Sequence, residues 1–326
     1  MRITGLERRM LQLWHRQPAD WPLLADGLAA FREASRCSWP VGDALVTVQC
    51  NQARLASASA RIDPNWLAQR PCQLCPDQRP SQQKAIEYRQ DWLILCNPAP
   101  LFDPHFTVIS RSHQPQRLTP ALGIMLDLAH DLEGAYTVFY NGPSCGASLP
   151  DHLHVQAAPT GALPCERELA SRICGNDGRL ERRWIDWVRY EPVRVGMTPQ
   201  SYRPAVILFG DDRDVLGEGV ESVLAVLNEI QPAEPEPMVN LLVTFTEDRW
   251  IIWMFPRQAH RPSCYGSEPD QFLISPGSVD LAGLLIVPRP ADFDRLSPAV
   301  IRDIYEQVLL PPEKYACLRK WLANGG

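Results

Sequence analysis

The chain has 326 residues, which allows about two domains at roughly 150 residues each. Its 45% hydrophobic and 21% charged content fits a folded globular protein and excludes disorder, and no apolar run approaches the ~20 residues of a membrane span. A net charge of −6 argues against a nucleic-acid binder, which carries a basic excess.

The N-terminal MRITGLERRMLQLWHRQ has no apolar stretch of export type, so a cytoplasmic protein whose ten Cys are mostly reduced is expected. Residues 1–35 read as one or two amphipathic helices interrupted at Pro18 and Pro22, with Leu11, Leu13, Trp14, Leu23, Leu24 and Leu28 on the apolar face. Residues 44–58 read as a hairpin around Asn51, and PCQLCPDQRP (71–80) as a loop. Strands are predicted at 92–96 and 106–109, then a helix over 120–133 with Thr119 as its cap and Pro120 at its first position. A strand at 136–140, the loop NGPSCGASLPD and a strand at 152–157 follow. Beyond them come a helix near 166–173, strands near 205–209, 241–245, 250–254 and 284–287, and helices near 220–230 and 298–309. Residues 231–238 read as a stiff, acidic, Pro-rich connector.

Compared with itself, the chain shows an ungapped match of FTVISRSHQPQRLTPAL (106–122) to LLIVPRPADFDRLSPAV (284–300). Arg111 meets Arg289, Arg117 meets Arg295 and Pro120 meets Pro298, so a duplication is expected, with His113 replaced by Ala291 in the second copy.

Two motifs carry chemistry. In His152-Leu153-His154-Val155-Gln156, period-two alternation places the three polar residues on one face of a strand. After a Gly/Ser loop whose N–H groups can face an anion, this is a phosphate site with an imidazole able to attack phosphorus; a polar-out edge strand has the same spacing. Cys72-x-x-Cys75 offers half of a tetrahedral zinc site, while a redox pair is disfavoured because Pro71 and Pro76 flank it and no strand precedes it. His130 falls on a helix border and reads as a surface residue. His260, between Arg257 and Arg261, reads either as part of an anion site or as an exposed loop residue in a chain with only three Lys among 32 basic residues.

The stretch FYNGPSCGASLPDHLHVQ (139–156) resembles the transferase branch of the histidine-triad superfamily, which includes galactose-1-phosphate uridylyltransferase, diadenosine tetraphosphate phosphorylase and the GDP-hexose phosphorylases. HLHVQ and SPGSVDLAGLLIVPRPADFDRLS (275–297) are most similar to the GDP-hexose phosphorylases, and CQLC followed by LILCNPAPLF to the uridylyltransferases. The resemblance implies an α+β fold of two histidine-triad-like halves, antiparallel sheets with flanking helices. An N-terminal helical segment (1–43) would precede a catalytic half (44–160), and 161–326 would hold an insertion, about 160–240, and a degenerate second half. It implies that His154 is the nucleophile and that Gln156 binds the phosphoryl oxygens. Asn97, Asn141, Gly146 and Ser148 would hold the substrate, and Cys72, Cys75, His113 and His152 a structural zinc. The implied partners are a nucleotide-containing small molecule, GDP-hexose-like or a dinucleoside polyphosphate, and phosphate. Neither nucleic acid nor membrane is expected. A neutral Gln156, where the hydrolase branch has His, argues for transfer over hydrolysis. Ile251 and Trp253 stand where the uridylyltransferase has a second His pair, so no second metal is expected. A hydrolase and a non-catalytic nucleotide- or zinc-binding protein are the alternatives.

Overall fold

A computed structural model describes residues 3–42, 44–170, 185–189, 193–198 and 202–324. The first helix, Gly5–Asp20, starts where the Thr4 hydroxyl accepts the Glu7 N–H at 3.1 Å; the second, Pro22–Glu33, starts on Pro22. Pro18 lies inside the first helix, and the break falls at Trp21. The two helices bury Met10, Trp14, Leu24 and Leu28. Leu23, assigned to the apolar face, is 56% exposed.

Strands β1 (Ser35–Val41) and β2 (Ala44–Cys50) form a hairpin that turns at Gly42, φ +61°, and not around Asn51. A turn in the left-handed region favours Gly. Asn51 follows β2, and its side chain accepts the Ala53 N–H at 3.1 Å to open a 3₁₀ turn. Then come β3 (Ala85–Tyr88), β4 (Trp92–Cys96), β5 (Phe106–Ser110), β6 (Tyr136–Asn141), β7 (His154–Pro159), β8 (Asp186–Arg189), β9 (Arg194–Met197), β10 (Val206–Gly210), β11 (Val239–Thr246), β12 (Arg249–Pro256) and β13 (Leu284–Val287). The helix expected near 166–173 is Pro164–Ala170; its last three positions lie outside the described residues.

Ten strands form one antiparallel sheet in the order β3-β4-β5-β7-β6-β11-β12-β10-β9-β8. That order is symmetric about the β6–β11 pair. Each half runs three strands, a helix (Leu118–Asp131 or Arg213–Ile230) and two strands, arranged identically from the edge inwards. The duplication therefore lies between 85–159 and 186–256, and not at 284–300. β13 is outside this sheet and pairs parallel with β2 in a three-stranded one. Among the described residues of 160–240, β8 to β10 and the helix Arg213–Ile230 belong to the second half of the sheet and are not an insertion that decorates it.

One face of the large sheet is covered by the helices, which pack on Val138, Tyr140, Val155, Ala157, Leu241 and Val243. The other face packs Phe139, Leu242, Ile251, Trp253 and Phe255 against the small sheet and the helix Pro298–Val308. Because side chains alternate, Val155 and Ala157 point into the helical layer, and His154 and Gln156 to the opposite face. Gln156, Phe139, Leu242 and Trp253 are successive cross-strand partners, so Trp253 holds the place in the second half that Gln156 holds in the first.

The helix expected over 120–133 is Leu118–Asp131, with Thr119 inside it. Its cap comes from the Pro-rich connector: Glu236 accepts the Leu118 N–H at 2.8 Å and the Tyr140 hydroxyl at 2.6 Å. No helix among the described residues is long and apolar enough to cross a membrane.

Candidate active site

Alternation predicts His152, His154 and Gln156 on one strand face, but the structure separates the first from the other two. β7 begins at His154; His152 sits in the preceding turn, its N–H bonded to the Leu149 carbonyl at 3.2 Å. Its ring faces the 71–80 loop. Cys72 Sγ lies 3.3 Å from His152 Nδ1, and Cys75 Sγ lies 3.3 Å from His113 Nδ1 and 3.7 Å from His152 Nδ1. The four ligand atoms all lie within 4.8 Å of one another, compatible with tetrahedral bonds of about 2.0–2.3 Å. His152 Nε2 is 2.8 Å from the Ser110 carbonyl, which can only accept. The ring proton is therefore on Nε2, and the Nδ1 lone pair faces the sulfurs, as in a ligating imidazole. Burial and the neighbouring Cys72 push the Cys75 thiol up to about 11, a penalty that a divalent cation between the sulfurs removes. The donor set thus fits a metal. The pair lies in a turn, Cys75 N–H to Cys72 carbonyl at 3.1 Å, and no helix opens on it as a redox pair needs.

His154 is 6% exposed. Its Nδ1 donates to the His152 carbonyl at 2.8 Å, which leaves the Nε2 lone pair for the cleft. Burial holds its pKa below the usual imidazole value, so the ring is neutral. The fully buried Gln116 clamps this strand end: its Oε1 accepts the His154 N–H, and its Nε2 donates to the His154 and Asn141 carbonyls, each at 2.9 Å.

Gln156 is oriented by a second chain of bonds. The Leu101 N–H donates to His105 Nδ1 at 3.1 Å, so the neutral His105 carries its proton on Nε2 and donates to Gln156 Oε1 at 3.0 Å. Burial and the Arg54 charge push His105 down to about 3, so this tautomer persists across the neutral range. Asn97 Nδ2 adds a donor to the same oxygen at 3.2 Å and bonds Thr107 Oγ1 at 3.1 Å. With Oε1 occupied, Gln156 presents its NH₂ group to the cleft.

Two chambers meet at Gln156. The larger, ≈ 550 Å³, includes Asn97, Ser148 and His154 in its walls. The smaller, ≈ 50 Å³, includes Asn141 and Gly146. All six residues expected for catalysis and substrate binding therefore line one cleft, and the four expected metal ligands form the adjoining cluster. Gly146 has φ +90°, and a Cβ there would come within 2.8 Å of the Pro276 carbonyl, so both conformation and contact require Gly.

Several residues at or behind the cleft escaped the motifs: Arg54 lines it, and His105, Gln116 and Asn240 are buried behind it. Gln116 and Asn240 act through partners distant in sequence, which leave no local signal. His260 is half-buried, not an exposed loop residue. Burial and the two neighbouring arginines push it down to about 3, so it is neutral and no cationic anion anchor. His130 is exposed and pairs with Asp131, as expected of a surface residue.

A family profile described as a domain of unknown function (DUF4922) matches residues 13–159. No curated protein matches the chain in sequence. Among solved structures, yeast Ap4A phosphorylase Apa2 superimposes with a TM-score of 0.54 at 17% identity, over 89% of this chain and 97% of that one. Its complex with Ap4A gives 0.52 at 18% identity, over 89% and 97%. With its symmetric ten-stranded sheet and the His154–Gln156 pair on the face away from the helices, the chain shares the two-half fold of yeast Ap4A phosphorylase.

Proposed function

We propose that the protein is a nucleotidyltransferase of the phosphorylase type, acting on a dinucleoside polyphosphate or an NDP-sugar with phosphate as acceptor. The observation that carries this reading is the neutral, buried His154, proton fixed on Nδ1 and Nε2 lone pair in the cleft, beside a Gln156 amide locked as a donor. In the first half-reaction Nε2 attacks the α-phosphorus, the N–P bond forms, and the bridging P–O electron pair leaves with the departing phosphate. The positive charge on the phosphorylated ring is stabilised by the Nδ1–H bond to the His152 carbonyl. The Gln156 NH₂ holds the phosphoryl oxygens. In the second half-reaction a phosphate oxygen attacks the same phosphorus, and the N–P pair returns to Nε2. Gln156 cannot take a proton from water, which favours phosphate as acceptor.

The Cys72–Cys75–His113–His152 set suits zinc by its soft sulfur and imidazole donors. Bound zinc would act structurally, fixing His152 and through its carbonyl the orientation of His154.

Purified protein is expected to convert Ap4A or an NDP-sugar to a nucleoside diphosphate only when phosphate is added. Product chromatography with and without phosphate checks this: a monophosphate formed equally in both would show a hydrolase. His105→Leu, which unpins Gln156, is expected to lower turnover by roughly tenfold or more at unchanged secondary structure. Initial rates and circular dichroism decide it; wild-type turnover would show that the pinning is idle.

A further inference from the structure

The small chamber lies between the first half of the sheet and the segment that follows the second. Gln156, Asn141 and Gly146 come from the first half; Ser275, Gly277 and Asp280 face them from the segment after the second. Its ≈ 50 Å³ has room for a few water-sized groups, which suits one phosphate and not a nucleoside. Arg54 lines this chamber and the large one; it donates to the Ala99 carbonyl at 3.1 Å and has no ion pair among the described residues.

Behind the wall lies Arg257, 1% exposed. Its Nη1 donates to Asn240 Oδ1 at 3.0 Å and to the Pro276 carbonyl at 2.6 Å, and its Nη2 to the Ala259 and His260 carbonyls at 2.9 and 2.7 Å. All of these acceptors are neutral, and Nε has none. A buried cation without a carboxylate partner is costly and needs a reason. The carboxylate within electrostatic range of both arginines is Asp280, whose oxygens accept the Gly277 and Ile286 N–H groups, each at 2.8 Å. Arg54 and Asp280 line the chamber, and Arg257 behind its wall adds a second positive charge within electrostatic range of that one carboxylate. The groups that Arg257 holds are also those that set the first half's phosphate loop. The Pro276 carbonyl abuts Gly146, and Asn240 donates to Asn141 Oδ1 at 2.9 Å and to the Cys145 carbonyl at 2.7 Å.

We propose that the small chamber is the subsite of the phosphate that departs in the first half-reaction and attacks in the second, with Arg54 in contact and Arg257 as a positioning residue. This rests on the nucleotidyl-transfer reading. The departing oxygen lies opposite His154 Nε2, and the attacking oxygen must approach from the same side, so one anion site serves both steps. The segment after the second half supplies one wall of the chamber, Arg54 from the chain before the first half lines it, and Arg257, just past β12, adds charge behind it.

The test titrates the full-length chain calorimetrically with inorganic phosphate, alone and with the best-bound of AMP, GMP and UMP at saturation. Phosphate is expected to bind beside the nucleotide. Its affinity should fall by about tenfold or more in Arg54→Met and in Arg257→Met, and by less in Arg257→Lys, which keeps the charge. Nucleotide affinity should change by less than about threefold. Full displacement of phosphate by the nucleotide overturns the proposal. So does unchanged phosphate affinity in Arg54→Met, or an equal loss of both ligands. If Arg257→Met does not fold, Arg54→Met and Arg257→Lys decide the matter. Binding is read without turnover, so this failure is distinct from failure to form a nucleotidyl-histidine.

Discussion

His154→Ala is expected to abolish turnover, with a loss on the order of 10⁴-fold or more, because His154 is the one imidazole among the residues lining the two chambers. The wild type, mixed with labelled substrate and no phosphate, should retain label on the chain, and mass spectrometry should place one nucleotidyl group on His154. Adding phosphate should release it as the diphosphate. The fold should survive the substitution, since the Gln116 clamp engages the backbone of residue 154 and not its ring. Full activity in the variant, or label retained without His154, would reject the mechanism and leave nucleotide binding without covalent chemistry.

The second large effect concerns the metal cluster. Cys72→Ser is expected to reduce bound zinc from about one ion per chain to near zero. Loss of a structural metal costs more than about 4 kcal/mol, which for a chain of this length lowers Tm by roughly 6 °C or more. Elemental analysis and thermal unfolding check both. Activity should fall as well, because the His152 carbonyl that orients His154 Nδ1 belongs to a ligand of the cluster. Unchanged zinc content in the variant would remove Cys72 from the ligand set. Wild-type stability after chelation would show that the set holds no structural metal.

Much of the site was legible locally. His154 and Gln156 share a face because a strand alternates, and Cys72 and Cys75 share a turn because their loop is short and Pro-flanked. His152 was misplaced because nothing in the letters HLHVQ marks where the strand begins. That boundary is set by a turn at 149–152 and by a ring that bonds the Ser110 carbonyl and faces Cys72. The repeat was misread for a related reason. A strand, a loop and a Pro-opened helix leave the same letters wherever they occur, so 106–122 and 284–300 look alike while lying in different sheets. The true duplication kept topology and not sequence, as Gln156 against Trp253 shows.

The sequence by itself determined most of the segments that become strands and helices, though not β1, β3, β8 or β9, and marked His154, Gln156, Cys72, Cys75, His113 and His152 as the candidates for nucleophile, amide and metal donors. The strands and helices follow from alternation and capping, which act over a few neighbours, while the residue roles follow from the resemblance to the histidine-triad transferases. Tertiary structure decided that His152 leaves the strand face and turns to the cysteines, on which nitrogen His105, His152 and His154 carry their protons, how Gln156 is turned, and that Arg257 and Asn240 support the 141–146 loop of the first half. A tautomer or an amide orientation is fixed by whatever donor or acceptor long-range packing brings opposite it, and that partner leaves no trace in the local pattern.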